Sequence, residues 1–163
     1  MRTLLLRNRQ RVRAVHSSLL RRFIRTLIQE KLGVATYELG FHLVAAPEMT
    51  RLNETFLHHT GSTDVITFDH SDGTPDTPLH GEIFICLDHA VKQAVAFRTT
   101  WQRELIRYAI HGVLHLRGFD DLTPSKRRVM KREENRLMRE LMRQFPIKRL
   151  AKFTDRQPPT ARR

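Results

Sequence analysis

The residues best suited to chemistry lie in one string, His111-Gly112-Val113-Leu114-His115-Leu116-Arg117-Gly118-Phe119-Asp120-Asp121. Histidines four residues apart on a helix share one face, one turn apart, so both imidazoles can reach the same ion. Gly118 allows a sharp turn after that helix. Such a turn can bring the Asp121 carboxylate back towards the histidine pair. Two nitrogens and one oxygen leave a fourth position open, the arrangement of a catalytic zinc rather than a closed structural site. Asp120 is the alternative carboxylate, either at the ion or orienting a histidine from behind. The bland alternatives are surface or hydrogen-bonded core histidines, with Asp121 exposed or capping the chain ahead of Ser125.

These residues need elements to position them. Apolar spacing predicts a long helix from Trp101 to Leu116, ended by Gly118, which carries both histidines. Thr123-Pro124-Ser125 starts another helix, with Met130, Leu137, Leu141 and Met142 on one side and an end near Phe145. Ahead of them, Ala90, Ala94, Val95 and Phe97 suggest a further helix. In the first half, Thr3 to Arg7, Tyr37 to Ala45, Val65 to Phe68 and Gly81 to Leu87 read as strands. A helix capped by Ser17 or Ser18 runs through Leu19, Leu20, Phe23, Leu27 and Ile28 and stops at Gly33, and Pro47 opens a short one through Met49, Leu52 and Phe56. Asp69 to Pro78 reads as an exposed loop. This order predicts a single α/β domain over residues 1–145, a mixed sheet flanked by helices. Residues 146–163 read as a basic, flexible tail.

With 163 residues, the chain can bury one core but not two ordinary ones. Its 29 Lys and Arg against 17 Asp and Glu give a formal +12 at pH 7. That excess concentrates polyanions near the surface, so nucleic acid is the first partner to consider and an anionic membrane the second. No apolar run approaches the roughly 20 residues needed to cross a bilayer, and a stable membrane partner is not expected. The single cysteine, Cys86, sits in the apolar run Ile83-Phe84-Ile85-Cys86-Leu87 and reads as a buried free thiol. A reducing, cytoplasmic setting fits it.

In spacing, the string resembles the extended zincin pattern, but the zincin general base, a glutamate after the first histidine, is replaced by Gly112. A protease is therefore a weak alternative. The denser resemblance is to the YbeY family of endoribonucleases, or rRNA maturation factors, whose signature is His-Gly-x-Leu-His-Leu-x-Gly-Tyr-Asp-His. The chain departs from it at Phe119, for tyrosine, and at Asp121, for the third metal-binding histidine. Leu52-Asn53, Ser62-Thr63-Asp64-Val65-Ile66-Thr67-Phe68 and Gly81-Glu82-Ile83-Phe84-Ile85-Cys86 are similar to further family elements, over roughly residues 37 to 142. Phe56-Leu57 stands where the family places a Tyr-Arg element near its cleft. A leucine brings no charge to phosphate; His58 and His59 are the nearby candidates to compensate, with loop exposure the plainer reading.

The resemblance implies an α/β fold with a mixed sheet and helices. It implies zinc-dependent cleavage of single-stranded RNA in small-subunit rRNA maturation and ribosome quality control, with contact to the small ribosomal subunit. Under that reading His111, His115 and Asp121 hold Zn²⁺, Asp120 orients a ligand from behind and Arg117 contacts phosphate. No residue declares itself as the general base, and water and an RNA 2′-hydroxyl both remain open as nucleophile. The main alternative is a non-catalytic, metal-containing RNA-binding assembly factor.

Overall fold

A computed structural model describes residues 1–72 and 78–152. Its strands are β1 (Arg2–Asn8), β2 (Tyr37–Val44), β3 (Val65–Asp69) and β4 (Leu79–Cys86), and its helices α1 (Ser17–Thr26), α2 (Ala46–Phe56), α3 (Leu87–Phe97), α4 (Trp101–Leu116) and α5 (Pro124–Gln144). The sheet order is β1-β2-β4-β3, with β1, β2 and β4 parallel and β3 antiparallel to β4. The mixed sheet and the single α/β domain agree with the pattern of apolar runs. Within the expected loop after β3, residues 73–77 lie outside the described residues.

Alternation along the strands sorts the sheet into two faces. Leu39, Phe41, Leu43, Ile83 and Ile85 face the main core, which they share with α1, α4 and α5. The other face carries a small cluster of Val44, Met49, Ile66, Phe84 and Cys86, packed partly by Ala46 and Leu52 of α2. The Cys86 thiol is free and buried there, and burial pushes its pKa up.

Three local details depart from the sequence expectations. The cap of α1 is His16, whose Nδ1 accepts the Leu19 N–H at 3.1 Å, rather than a serine. That helix continues as a π-turn over Leu27–Lys31 before Gly33, at φ 62°, reverses the chain. The segment from Pro146, read as a tail, begins with a 3₁₀ turn, Ile147–Leu150, whose Leu150 is buried. The His16 N–H donates to the Leu150 carbonyl at 2.8 Å and the Lys152 N–H to that of Ala14 at 3.0 Å. Packing thus runs on to Lys152, while residues 153–163 lie outside the described residues.

Helix α4 fixes the position of the histidines. Leu105, Ile106, Ile110, Val113 and Leu114 are fully buried, and each such side chain contributes about 1.5–3 kcal/mol. Between them Gly112 lies against β4: a Cβ there would stand 2.7 Å from Ile83 Cγ2. The position that holds glutamate in a zincin therefore faces the sheet and has no room for a side chain. An alanine would gain about 1 kcal/mol of helix propensity, against about 1–3 kcal/mol of overpacking on a branched, buried neighbour. We expect Gly112→Ala to lower the urea midpoint, and an unchanged midpoint would show that α4 can lift from β4 at no cost.

On the outer face, Glu82 bridges two histidines, accepting from His42 Nε2 at 3.1 Å and His70 Nε2 at 3.0 Å. His42 is stacked on Phe84 and buried, and its Nδ1 has no partner. Burial holds its pKa below the ordinary 6.5, outweighing the Glu82 hydrogen bond and charge. The unfolded chain then binds the extra proton more readily. His42 thus contributes its full stability above pH 6.5 and loses it as pH falls towards the depressed folded value. The drop in unfolding free energy between pH 7 and pH 5 is expected to be smaller in His42→Gln than in the parent chain, measured by urea denaturation at both pH values.

Candidate metal centre

The α4 register turns His111 and His115 away from the sheet, half-buried, with ring centroids 4.5 Å apart and nearly perpendicular planes. After Leu116 the chain reverses at Gly118, φ 96°, with the Gly118 N–H donating to the His115 carbonyl and the Phe119 N–H to that of Leu114, both at 3.0 Å. This reversal returns Asp121, whose Oδ2 lies 3.8 Å from both His111 Nε2 and His115 Nε2. One ligand atom from each of the three residues lies within 4.8 Å of the others, and among the described residues no other group of histidine, cysteine or carboxylate ligands converges this way.

The far side of each imidazole decides its protonation. His115 Nδ1 lies 3.1 Å from the Phe119 carbonyl, which can only accept, so Nδ1 carries the proton. His111 Nδ1 lies 3.1 Å from Glu134 Oε2 on α5 and donates to it. In the neutral rings both Nε2 atoms then present lone pairs, 3.0 Å apart, beside a carboxylate. Three acceptors facing one another make a site suited to a cation, either a proton or a metal. Burial disfavours a charged His111, but the Glu134 hydrogen bond and charge, followed by Asp121 and Asp64, outweigh it and raise its pKa above 6.5. A metal ion binding at this pair would have to compete with protons, as at any histidine site. The donor set itself, two imidazole nitrogens and one carboxylate oxygen, suits zinc.

The sequence reading did not include Glu134. It interrupts the apolar side of α5 between Met130 and Leu137 at helical spacing, and it is 8% exposed. An acid in such a position needs a partner, and that need was the available signal. Arg107 Nη1 stands 3.8 Å from its other oxygen and donates to Asn135 Oδ1 at 3.1 Å. Asp64, Arg107, Tyr108, His111, Lys131 and Glu134 line a cleft of about 380 Å³ beside the cluster.

Other sequence candidates are placed elsewhere. Asp120 accepts the Leu122 N–H at 3.1 Å and pairs with Lys126 Nζ at 3.1 Å, so it braces the turn into α5 rather than a histidine. Arg117 is exposed at the end of α4 and lines a separate depression with Phe119 and Lys126. His58 and His59 are exposed and outside the cluster. Asn53 is buried and organises their loop, its carbonyl taking the Leu57 and His59 N–H groups and its Nδ2 donating to Gly61.

Residues 5–142 match the family model described as "Endoribonuclease YbeY". The chain belongs to the YbeY family. It is 35% identical to the endoribonuclease YbeY of Chlorobium phaeovibrioides over 127 residues, 78% of this chain and 83% of that one. Against the YbeY of Chlorobium luteolum it is 36% identical over 131 residues, 80% and 93% of the two chains. The solution structure of a Thermotoga maritima protein superposes with a TM-score of 0.64 at 24% identity, covering 99% of this chain and 100% of that one, which speaks to the fold. Among the described residues, no helix is long and apolar enough to cross a membrane.

In this YbeY chain the contact most open to test is Glu134 on His111. Carboxylates that orient a ligating histidine typically account for about 10–100-fold in metal affinity. Glu134→Gln, which keeps the shape and removes the charge, is expected to weaken zinc binding by that order in competition with a chromophoric chelator. Affinity within about twofold of the parent would remove Glu134 from the site.

Proposed function

We propose that this protein is a zinc-dependent endoribonuclease acting on single-stranded RNA in small-subunit rRNA maturation and ribosome quality control in the cytoplasm, in contact with the small ribosomal subunit. The observation that carries the reading is the convergence of His111, His115 and Asp121 on one point, with both Nδ1 protons already committed elsewhere. Membership of the YbeY family supplies the reaction class.

His111 and His115 would hold the ion through Nε2 and Asp121 through a carboxylate oxygen. When bound, zinc lowers the pKa of water and offsets negative charge developing on a phosphoryl group. Glu134 keeps the His111 ring in its ligating tautomer, and the Phe119 carbonyl does the same for His115. Arg107 and Lys131, on the cleft wall, attract the phosphate and fix its approach. Asp121 makes the donor set singly negative where three histidines would be neutral. That charge tightens the hold on a dication and reduces the positive charge left to act on phosphate.

A second reading, a metal-containing RNA-binding assembly factor without cleavage, is favoured by Leu57, a partly exposed apolar side chain where the family resemblance calls for an arginine. Zinc analysis paired with cleavage of single-stranded RNA separates the two. The parent chain is expected to carry about one zinc and to cleave, His111→Ala to lose both, and a chelator to stop cleavage reversibly. Full zinc and full cleavage in Asp121→Ala would remove Asp121 from the ligand set, and stoichiometric zinc without cleavage would favour the second reading.

A further inference from the structure

Helix α5 carries eight Lys and Arg and only three Glu. Its acids are all engaged away from one face. Glu133 and Glu140 both pair with Arg136, and Glu134 turns inward to His111. At the start of the helix, Lys126 is held by Asp120, and Arg127 donates to the Asp121 carbonyl. Arg128, Lys131, Arg132 and Arg139 are left exposed, with no carboxylate paired to them among the described residues. They fall at helical spacing around one shallow depression with Asn135. From Arg128 to Arg139 the stripe runs about 16 Å along the helix axis.

The stripe is continuous with the cleft, because Lys131 lines both. At the cleft mouth, Phe97, the last residue of α3, is 69% exposed, alongside Arg103 and Arg107 of α4. A large aromatic ring left in water at a cleft whose lining alternates Arg103, Arg107 and Lys131 with Asp64, Glu104 and Glu134, next to a histidine cluster, needs an explanation that core packing does not give. Unpaired bases stack on such rings while neighbouring cations follow the phosphates. A membrane surface would call for a broad apolar face beside the basic one; here Met130, Leu137, Met138 and Leu141 are buried in the core, and the exposed apolar side chains by the stripe are the isolated Val129 and Leu122.

We propose that the exposed stripe Arg128–Lys131–Arg132–Arg139 is the track for the RNA backbone flanking the cleavage point, and that Phe97 stacks a base at the cleft mouth. This extends the endoribonuclease reading to the surface that holds the strand, and it is tested by binding rather than cleavage, so the two can fail separately. The probe is a short fluorescein-labelled 2′-O-methyl single-stranded oligoribonucleotide, which resists cleavage, titrated by anisotropy against the zinc-loaded protein. Arg128→Glu/Arg132→Glu/Arg139→Glu is expected to weaken binding at least tenfold and to reduce the salt slope by about 2, three contacts at roughly 0.7 each. Arg11→Glu/Arg13→Glu/Arg25→Glu, an equal change of net charge on the β1–α1 side, is expected to weaken it less than threefold. Equal losses in the two triples would mean that only net charge matters and would overturn the track. Phe97→Ala is expected to lose about fivefold or more and Phe97→Trp to restore it, since stacking is worth ~1–3 kcal/mol per base. Unchanged affinity in Phe97→Ala would overturn the stacking assignment. Zinc content and thermal midpoint close to the parent's verify that each variant is folded. Stripe-dependent binding to phosphatidylglycerol vesicles with none to the oligonucleotide would overturn the proposal in favour of a membrane surface.

Discussion

The geometry of this protein depends on the close approach of α4 to β4. Gly112 lies directly against Ile83, and the leucines, isoleucines and valine around it are removed from water. The contact fixes both the distance and the rotation of the helix, because the buried side chains leave it one register. Once that rotation is set, His111 and His115 must look outward, and the only remaining question is what meets them. The same glycine that allows the packing leaves no side chain at the position where a zincin carries its general base.

Electrostatics then completes what packing begins. The protein is strongly cationic, yet it places carboxylates where they govern the histidines: Glu134 behind one ring and Asp121 in front of both. Glu134 does this at the cost of desolvating a carboxylate, a cost offset by the hydrogen bond from His111 and the nearby Arg107. Asp121 arrives by a backbone reversal that uses Gly118 and the open carbonyls at the end of α4. The cluster is therefore a property of three elements, α4, its terminal turn and α5, and no single segment contains it.

Much of the fold was legible because apolar periodicity reports burial directly. The four strands and the bounds of α4 follow from alternation and from helical spacing, and the observed elements differ at their ends by a residue or two. Where the reading departed from the structure, a local rule met a stronger tertiary one. Ser17 and Ser18 are better intrinsic caps than His16, but the chain enters α1 through a backbone bond from His16 to Leu150, which places His16 at the cap. The turn at Ile147–Leu150 was hidden in a basic, polar stretch whose one buried leucine has no periodic company.

For the site, the sequence by itself determined the pair of histidines and their shared face, because a four-residue spacing on a helix fixes it. By resemblance it also set Asp121 where the family signature has its third histidine. The sequence already favoured Asp121 over Asp120; the tertiary structure sets the Asp121 carboxylate 3.8 Å from both histidines and pairs Asp120 with Lys126. Glu134 was settled only by tertiary structure: it is 23 residues from His111 in sequence and 3.1 Å from it in space. Spacing encodes what one element presents to its own face. It does not encode which side chain of another element will be pressed against that face, since that depends on how the shared core packs the two helices together.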